Sequence, residues 1–469
     1  MAKYNQVTAD IISKLRELLG GKQVVTDRSI IEPYSHDEVP DSHYAHMPDA
    51  VVFPETTEQV AAVVKFANEY LIPVVPRGAG TGLACGAVPT LGGIVLSLEK
   101  MDKVLEINAD SLYIIVEPGV RTDDIQKAVK SEGLFYAGDP CSGDSCFIGG
   151  NVATNAGGNK AVKYGTTRHQ VYSLEVVMPT GEITTLGGRL EKNTTGYNLE
   201  QLIIGSEGTL GIITKITLKL KPLPKHVIDL LAIFPDVESA IAIVSKVIKA
   251  GITPTCVEFM DTITIQSIER FLNEKLPNSD IGNYIIIQVE ADTEDELDNK
   301  SILLDELCTT NGALSVLVAD SQKIWRARKS FGEALRAESL IVAKEDIVVP
   351  VDQIAKMMHE IARMRETYGL ITRTASHAGD GNIHLNILKG QTPDGEWDDK
   401  IEKFQHDLYS TVYRLGGKLS GEHGIGFKRK ALMAEFTSSV ELAAMRAIKK
   451  ALDPKLILNP GKIFDVEQD

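Results

Sequence analysis

Apolar and polar residues alternate along this chain with two periods, and the switches between them mark its elements. The stretch AVVFPETTEQVAAVVKFANEYLIPVVPRG predicts a strand over 50–53, a helix over 57–70 with apolar residues three and four apart, and a strand over 72–75. YIIVEPGVRTDDIQKAVKSEGL repeats that alternation. GIITKITLKL closes the first half, with Ile216, Leu218 and Leu220 alternating with Thr217 and Lys219 as in a half-buried strand. At the N-terminus, Ile11, Ile12, Leu15, Leu18 and Leu19 recur at helical spacing among charges. That pattern predicts an amphipathic helix packed on the main body and does not match a signal peptide. KPLPK, 221–225, marks a boundary, because two prolines with lysines cannot sit in a central strand.

Beyond that boundary, IDLLAIFPDVESAIAIVSKVIKAG and YIIIQVEADTEDELDNKSILLDEL share one order: strand, acidic helix start, apolar helix. Two such units predict one antiparallel sheet with helices on one face. ALDPKLILNPGKIF has the proline and glycine content of an extended tail lying on another domain. The 469 residues suffice for two or three domains with separate cores. The expected divisions are a helical segment over 1–45, a first domain over 46–224, a second over 225–425, and a C-terminal segment over 426–469 that returns to the first.

Charge and cysteines narrow the class. A net charge of -15 disfavours nucleic acid or an anionic membrane surface as partner, although a few local cations can still admit a small anionic substrate. The five cysteines are odd in number and scattered, so they do not form a disulfide framework. Cys141 and Cys146 are the only close pair and no CxxC follows, which argues against an internal iron–sulfur cluster. No apolar run approaches membrane-spanning length, and a reducing cytoplasm is the expected location.

Three segments are rich in glycine. PRGAGTGLACGAVP, 76–89, follows a predicted strand and clusters Gly78, Gly80, Gly82 and Gly86, whose backbone N–H groups can form a nest for phosphate oxygens. A tight surface turn explains the same stretch nearly as well. Its spacing is not the GxGxxG of a nicotinamide site. CFIGGNVATNAGGNKAVKYG, 146–165, has small and amide residues between its glycines, as suits a backbone lying flat against a large planar ligand. GSEGTLGIIT, 205–214, is the third.

Together these segments resemble the flavin-binding half of the FAD-linked oxidase family typified by vanillyl-alcohol oxidase, and from about residue 45 onward the chain is similar to its D-2-hydroxyacid dehydrogenase branch. The resemblance implies an α+β fold: an FAD-binding domain of two α/β subdomains, an antiparallel-sheet cap domain, and a C-terminal tail returning to the flavin domain. It assigns Arg77, Gly78, Ala79, Gly80, Thr81 and Gly82 to the pyrophosphate. Gly149, Gly150, Asn151, Thr154, Asn155, Gly157 and Gly158 would line the flavin ring, and Glu207, Gly208 and Ile213 would reach the adenine half. GAGTG carries no histidine for covalent attachment, so non-covalent FAD is expected.

HAGDGNIHLN, 377–386, holds two of the ten histidines. Asp380 and Gly381 suit the tip of a turn and NIHLNIL alternates like a strand, so a hairpin would place His377 and His384 opposite one another at its open end, with His384 and Asn386 on one face. SGEHGIG, 420–426, offers Glu422 and His423 between glycines. Two imidazoles and a carboxylate suit a catalytic divalent metal; hairpin histidines satisfied locally and an exposed EHG turn fit the residues equally well. The family resemblance places His377, His384 and Glu422 on metal-ligand positions and His423 on the general base, with zinc, iron(II) and manganese(II) all compatible. It also assigns Arg328, Lys344 and Asn386 to substrate binding; a solvated basic helix face is the other reading of Arg328.

The implied reaction is oxidation of a D-2-hydroxy acid to the 2-oxo acid. The metal acidifies the hydroxyl, His423 takes its proton, and the Cα hydride passes to flavin N5. Where relatives acting on D-2-hydroxyglutarate carry threonine four residues after the arginine, this chain has Gly332, which favours D-lactate, with glycolate behind it. With no nicotinamide fingerprint, spaced cysteines or membrane segment, electrons are expected to pass to a protein acceptor, an electron-transfer flavoprotein or an iron–sulfur subunit. The rival classes are a metal-dependent hydrolase using the His/Glu cluster alone and a flavin-binding module without turnover.

Overall fold

A computed structural model describes residues 4–39 and 42–466. The chain divides into two compact units: one from Met1–Gly157, Thr166–Leu223 and His423–Asp469, the other from Gly158–Gly165 and Pro224–Glu422.

In the first unit, the strands Val24–Val25, Ala50–Val52, Ile94–Ser97 and Val74–Arg77 lie side by side in that order. The last three pair in parallel, and Val24–Val25 adds an antiparallel edge. The helix Thr57–Tyr70 has the predicted limits because both ends are chemically marked. Thr56 accepts a hydrogen bond from the Gln59 N–H, and Leu71 ends the helix in the left-handed region at φ 54. Val60, Val63, Val64 and Ala67 form its buried stripe, and burying each valine contributes about 1.5–3 kcal/mol before entropy. The following strand begins at Val74, two residues later than the apolar pattern suggests. Pro73 has no N–H to give a ladder, and its carbonyl accepts from Ile94 N–H. Ala9–Leu19 is the expected amphipathic helix, with Ile11, Leu15 and Leu19 in the same core and Leu18 exposed. The C-terminal tail runs beside Val74, which exchanges backbone hydrogen bonds with Ile457 and Asn459.

A second, antiparallel sheet of this unit orders Val104–Asn108, Tyr113–Val116, Ile212–Lys219, Val171–Val177 and Ile183–Gly187. Its central strand is covered on both faces, not half-buried as the alternation predicts. Thr217 is buried beside Ile216 and Leu218, its hydroxyl satisfied by Ser173 Oγ at 3.0 Å. Lys221–Pro222 pairs only with Leu134–Phe135 in a separate two-stranded ladder, a setting that tolerates proline.

The second unit is built on a seven-stranded antiparallel sheet in the order Ser315–Val318, His226–Phe234, Asn283–Ala291, Cys256–Met260, Ile371–His377, Asn382–Leu388, Val342–Val348. The two similar stretches are His226–Phe234 with Val237–Lys249 and Asn283–Ala291 with Glu294–Thr310. Asp236 and Thr293 cap these helices and acids occupy both first turns, which complements the helix dipole. Helices cover both faces of the sheet, which corrects the one-face expectation. Leu231, Ile286, Met260 and Ala375 pack against Ile265, Ile324, Ala327 and Leu335 from three helices. Alternation turns Glu345 to the opposite face, where Gln405 and Tyr409 of the helix Asp394–Arg414 donate to it. Nearly continuous buried runs in the central strands are the sequence mark of such two-sided cover.

Gly158–Gly165 docks into this unit: Lys163 Nζ and Tyr164 Oη both donate to Glu290 Oε2, at 2.5 and 2.6 Å. Gly379 leaves room for Val162, whose Cγ2 lies 2.7 Å from where a Cβ at 379 would stand. Among the described residues no helix is long and apolar enough to cross a membrane.

Candidate active site

Residues 76–89, 146–157 and 205–214 of the three glycine-rich segments, far apart in sequence, meet in the first unit. A Cβ on Gly78 would lie 3.6 Å from Gly150 N, one on Gly86 3.5 Å from Glu207 Oε2, and one on Gly205 3.4 Å from Asn155 Cβ. Gly205 N–H and Glu207 N–H donate to the carbonyls of Val152 and Ala153 at the end of the helix Ile148–Thr154. Gly149 is packed tightly, since a Cβ there would sit 2.5 Å from Pro118 Cβ, whereas a Cβ on Gly150 would meet nothing within 4 Å. The surface at Gly150 is thus backbone facing open space, as a planar ligand would require.

Several residues assigned to the cofactor have internal partners. Arg77 donates to the carbonyls of His36 (2.7 Å) and Pro33 (3.0 Å), and its guanidinium folds over Gly80, where no Cβ could be accommodated. It braces the loop from within the protein. Ala79 and Thr81 are half-buried and Gly82 is exposed. Asn151 is buried and donates to Thr122 Oγ1 at 2.8 Å. Thr154 Oγ1 donates to Gly150 O, and Asn155, left-handed at φ 52, accepts from Arg168 N–H. Gly157 is the last residue of this run in the first unit and Gly158 the first of the docked segment. Ile213 lies in the core with Ile148 and Val152. Glu207, left-handed at φ 53, accepts from Ile425 N–H and Gly426 N–H, both at 2.8 Å. Burial raises its carboxyl pKa and these donors only partly oppose the rise. Gly208 abuts Pro76, whose Cγ lies 2.5 Å from a Cβ position there.

In the second unit the hairpin register differs from expectation. His377 pairs with Asn382 and His384 with Ala375, so the histidines are diagonal neighbours at the turn end, not opposite one another at the open end. The turn takes four residues, 378–381, and Gly381 (φ 91) is fixed by Val349 O, only 2.0 Å from a Cβ position. Diagonal neighbours still share a face. His377 Nε2 and His384 Nε2 lie 3.0 Å apart, and Glu422 Oε1 is 3.8 and 3.4 Å from them.

Asp346 stands on the other side of His384: its Oδ1 lies 3.7 Å from Nδ1, while Nε2 is the ring nitrogen that faces His377 and Glu422. Asp346 accepts from Asn382 Nδ2 (2.7 Å), Ser420 Oγ (2.7 Å) and Glu422 N–H (3.0 Å), so it holds the Glu422 backbone in place. His377 points its Nε2 inward because Nδ1 faces Glu258 Oε1 at 2.7 Å. Ligands about 2.0–2.1 Å from a tetrahedral ion stand roughly 3.3 Å apart, close to the triangle of His377, His384 and Glu422. The residues present fit a divalent metal.

Glu258 is wholly buried, and its second oxygen accepts from Arg328 Nε at 2.9 Å. Burial would raise its carboxyl pKa, but His377 and Arg328 hold it below the usual range. Burial alone would lower the His377 pKa; Glu258 and Glu422 outweigh it and the pKa is raised. Burial pushes the Asp380 carboxyl up to about 6. Asn386 stands directly opposite Lys344 on one side and Arg373 on the other, on the face that carries His384. Gly332 lies in the first turn of the helix Phe331–Glu338, and a Cβ there would meet nothing within 4 Å. His423 follows Glu422 directly and is half-buried. Glu258, Asp346, Asn382 and Ser420 were not singled out from sequence. A signal existed for Glu258, a lone carboxylate inside the apolar strand CVEFM.

Residues 48–187 match the FAD binding domain and residues 223–463 the C-terminal domain of FAD linked oxidases. A D-lactate dehydrogenase of Anaerostipes hadrus is 38% identical, covering 98% of both chains. Glycolate oxidase subunit GlcD of Bacillus subtilis (strain 168) is 37% identical over 98% of this chain and 97% of its own. A D-2-hydroxyglutarate dehydrogenase of Stutzerimonas stutzeri (strain A1501) is 33% identical over 97% and 98%. A solved structure of p-cresol methylhydroxylase superposes with a TM-score of 0.81 at 20% identity, covering 98% of this chain and 97% of that one, a likeness of fold alone. The chain therefore belongs to the FAD-linked oxidases, as a flavoprotein oxidoreductase of the type of these D-lactate, glycolate and D-2-hydroxyglutarate enzymes.

Proposed function

We propose that this protein is a metal-assisted, FAD-dependent D-2-hydroxyacid dehydrogenase that acts on D-lactate and passes the electrons to a protein acceptor. The convergence of His377 Nε2, His384 Nε2 and Glu422 Oε1 carries the reading, because a hydroxy acid presents two oxygens that can chelate a cation held there. FAD, held by the backbone of 78–82 and 149–158, would supply the two-electron acceptor, and the cation would lower the pKa of the substrate hydroxyl. His423 takes the hydroxyl proton as general base. Lys344 and Arg328 balance the substrate carboxylate and Asn386 orients it. The expected result is anaerobic bleaching of the flavin absorbance by D-lactate, lost on chelation of the metal. Turnover should be slow with oxygen or NAD⁺ alone and fast with an electron-transfer flavoprotein or an artificial dye. A flavin left unreduced by D-lactate, glycolate and D-2-hydroxyglutarate alike would reject the reading.

Two glycines test the flavin assignment. Gly150→Ala should fold with an unchanged melting temperature yet bind FAD more weakly in fluorescence titration, since its methyl meets no protein atom. Gly149→Ala should be destabilised by about 1–3 kcal/mol through collision with Pro118. Equal FAD affinity in Gly150→Ala and the unsubstituted protein would move the ring elsewhere.

Gly332 supports the monocarboxylate, because it offers no donor to a second carboxylate. The space beside it accepts a side chain, so Gly332→Thr should fold and raise the kcat/KM ratio of D-2-hydroxyglutarate to D-lactate, by about 10-fold for one added hydrogen bond to a charged group. A parent enzyme that already prefers the dicarboxylate would contradict the assignment.

A further inference from the structure

We propose that Glu258 is a shared positioning residue, one buried carboxylate that orients His377 as a metal ligand and Arg328 as the cation beside the substrate. The inference rests on the metal reading above and adds to it the group that ties the two halves of the site together. Each carboxylate oxygen has its own partner: Oε1 meets His377 Nδ1 at 2.7 Å and Oε2 meets Arg328 Nε at 2.9 Å. Glu258 stands directly opposite His377 in adjacent strands, so the contact is built into the ladder. Its neighbours on that face, Ile286 across the ladder and Met260 two residues on, are buried and apolar and offer it no hydrogen bond. A buried carboxylate is tolerated in such surroundings only with its charge paired, and this one is paired twice. His377 Nδ1–H donates to Glu258, which leaves the Nε2 lone pair aimed toward His384 and Glu422. The same carboxylate fixes the guanidinium, so the positions of the metal and of the substrate carboxylate are set by one group.

The experiment uses the full-length flavoprotein, stripped of metal and titrated with cobalt(II) against a chelator of known affinity. Bound metal is counted after gel filtration, and the flavin spectrum and melting temperature serve as controls of the fold. Glutamine at position 258 can accept from only one of the two donors and turns an N–H₂ toward the other. Glu258→Gln should keep its flavin, bind cobalt(II) about 10–100-fold more weakly, and show a raised KM for D-lactate at saturating cobalt(II). If the stranded Arg328 cation prevents folding, the double variant Glu258→Gln/Arg328→Met removes it and should show the same loss of cobalt(II). Arg328→Met alone leaves the carboxylate on His377 and should bind cobalt(II) within about 2-fold of the parent while its KM rises. The inference is overturned if Glu258→Gln binds cobalt(II) as tightly as the parent, or if Arg328→Met loses as much affinity as Glu258→Gln. A parent protein that binds no cobalt(II) would end the metal reading itself, an outcome distinct from either.

Discussion

Alanine in place of His384 or Glu422 is expected to abolish D-lactate-driven bleaching of the flavin while leaving the flavin bound. Three donor atoms make up the proposed metal site, with edges of 3.0, 3.4 and 3.8 Å, and each variant removes one of them. Two remaining protein ligands hold a divalent ion poorly, and without the ion nothing at this point acidifies the substrate hydroxyl. Neither change disturbs the ladder, because His384 is held in its strand by backbone pairing with Ala375 and Asp346. The glycine segments that meet in the first unit contain neither residue, so the visible flavin spectrum should be unchanged. The measurement is stopped-flow absorbance under anaerobic conditions, with metal content counted on the same sample. A Glu422→Ala protein that is reduced at the parent rate would make the cluster structural.

The sequence was most informative where local chemistry decides the outcome. The limits of Thr57–Tyr70 follow from a capping threonine and a left-handed leucine, both adjacent in sequence to the helix they bound. The hairpin at 377–386 was visible as a hairpin, yet its register was not. A glycine-bearing turn can hold two residues or four, and the four-residue form here is tied to another segment, where Val349 N–H donates to Gly381 O and a Cβ at 381 would collide with Val349 O. Side-chain partners were the least legible. Arg77 and Glu207 have the charges of cofactor ligands, but their nearest donors and acceptors are backbone groups 41 to 219 residues away. Glu258 illustrates the converse: its partners stand 119 and 70 residues off, so a lone acid in an apolar strand signalled a buried ion pair without naming its partners. The short strand Val24–Val25 carries no signal of its own, since two valines pair only because Val51 and Val52 offer an edge.

His423→Ala is expected to slow D-lactate-driven flavin reduction by about 10²–10⁴-fold, the range for loss of a general base, while metal content and bound flavin are kept. The residue is the imidazole nearest in sequence to the ligand set, directly after Glu422, yet its backbone is anchored separately. Asp346 holds the Glu422 N–H on one side at 3.0 Å. On the other, Gly424 turns at φ 82 against the Glu207 carboxylate, which accepts the next two N–H groups. The role proposed for His423 needs its imidazole within hydrogen-bond reach of the substrate hydroxyl. On the proposed role, which concerns the proton and not the carboxylate, the substrate dissociation constant from the concentration dependence of bleaching should change little while the limiting rate falls. His423→Gln should behave like alanine, since an amide cannot take the proton. An alanine variant that loses its metal along with its rate would instead make His423 a ligand, and one that keeps its full rate would return the search for the base to other groups on the His384 face of the sheet.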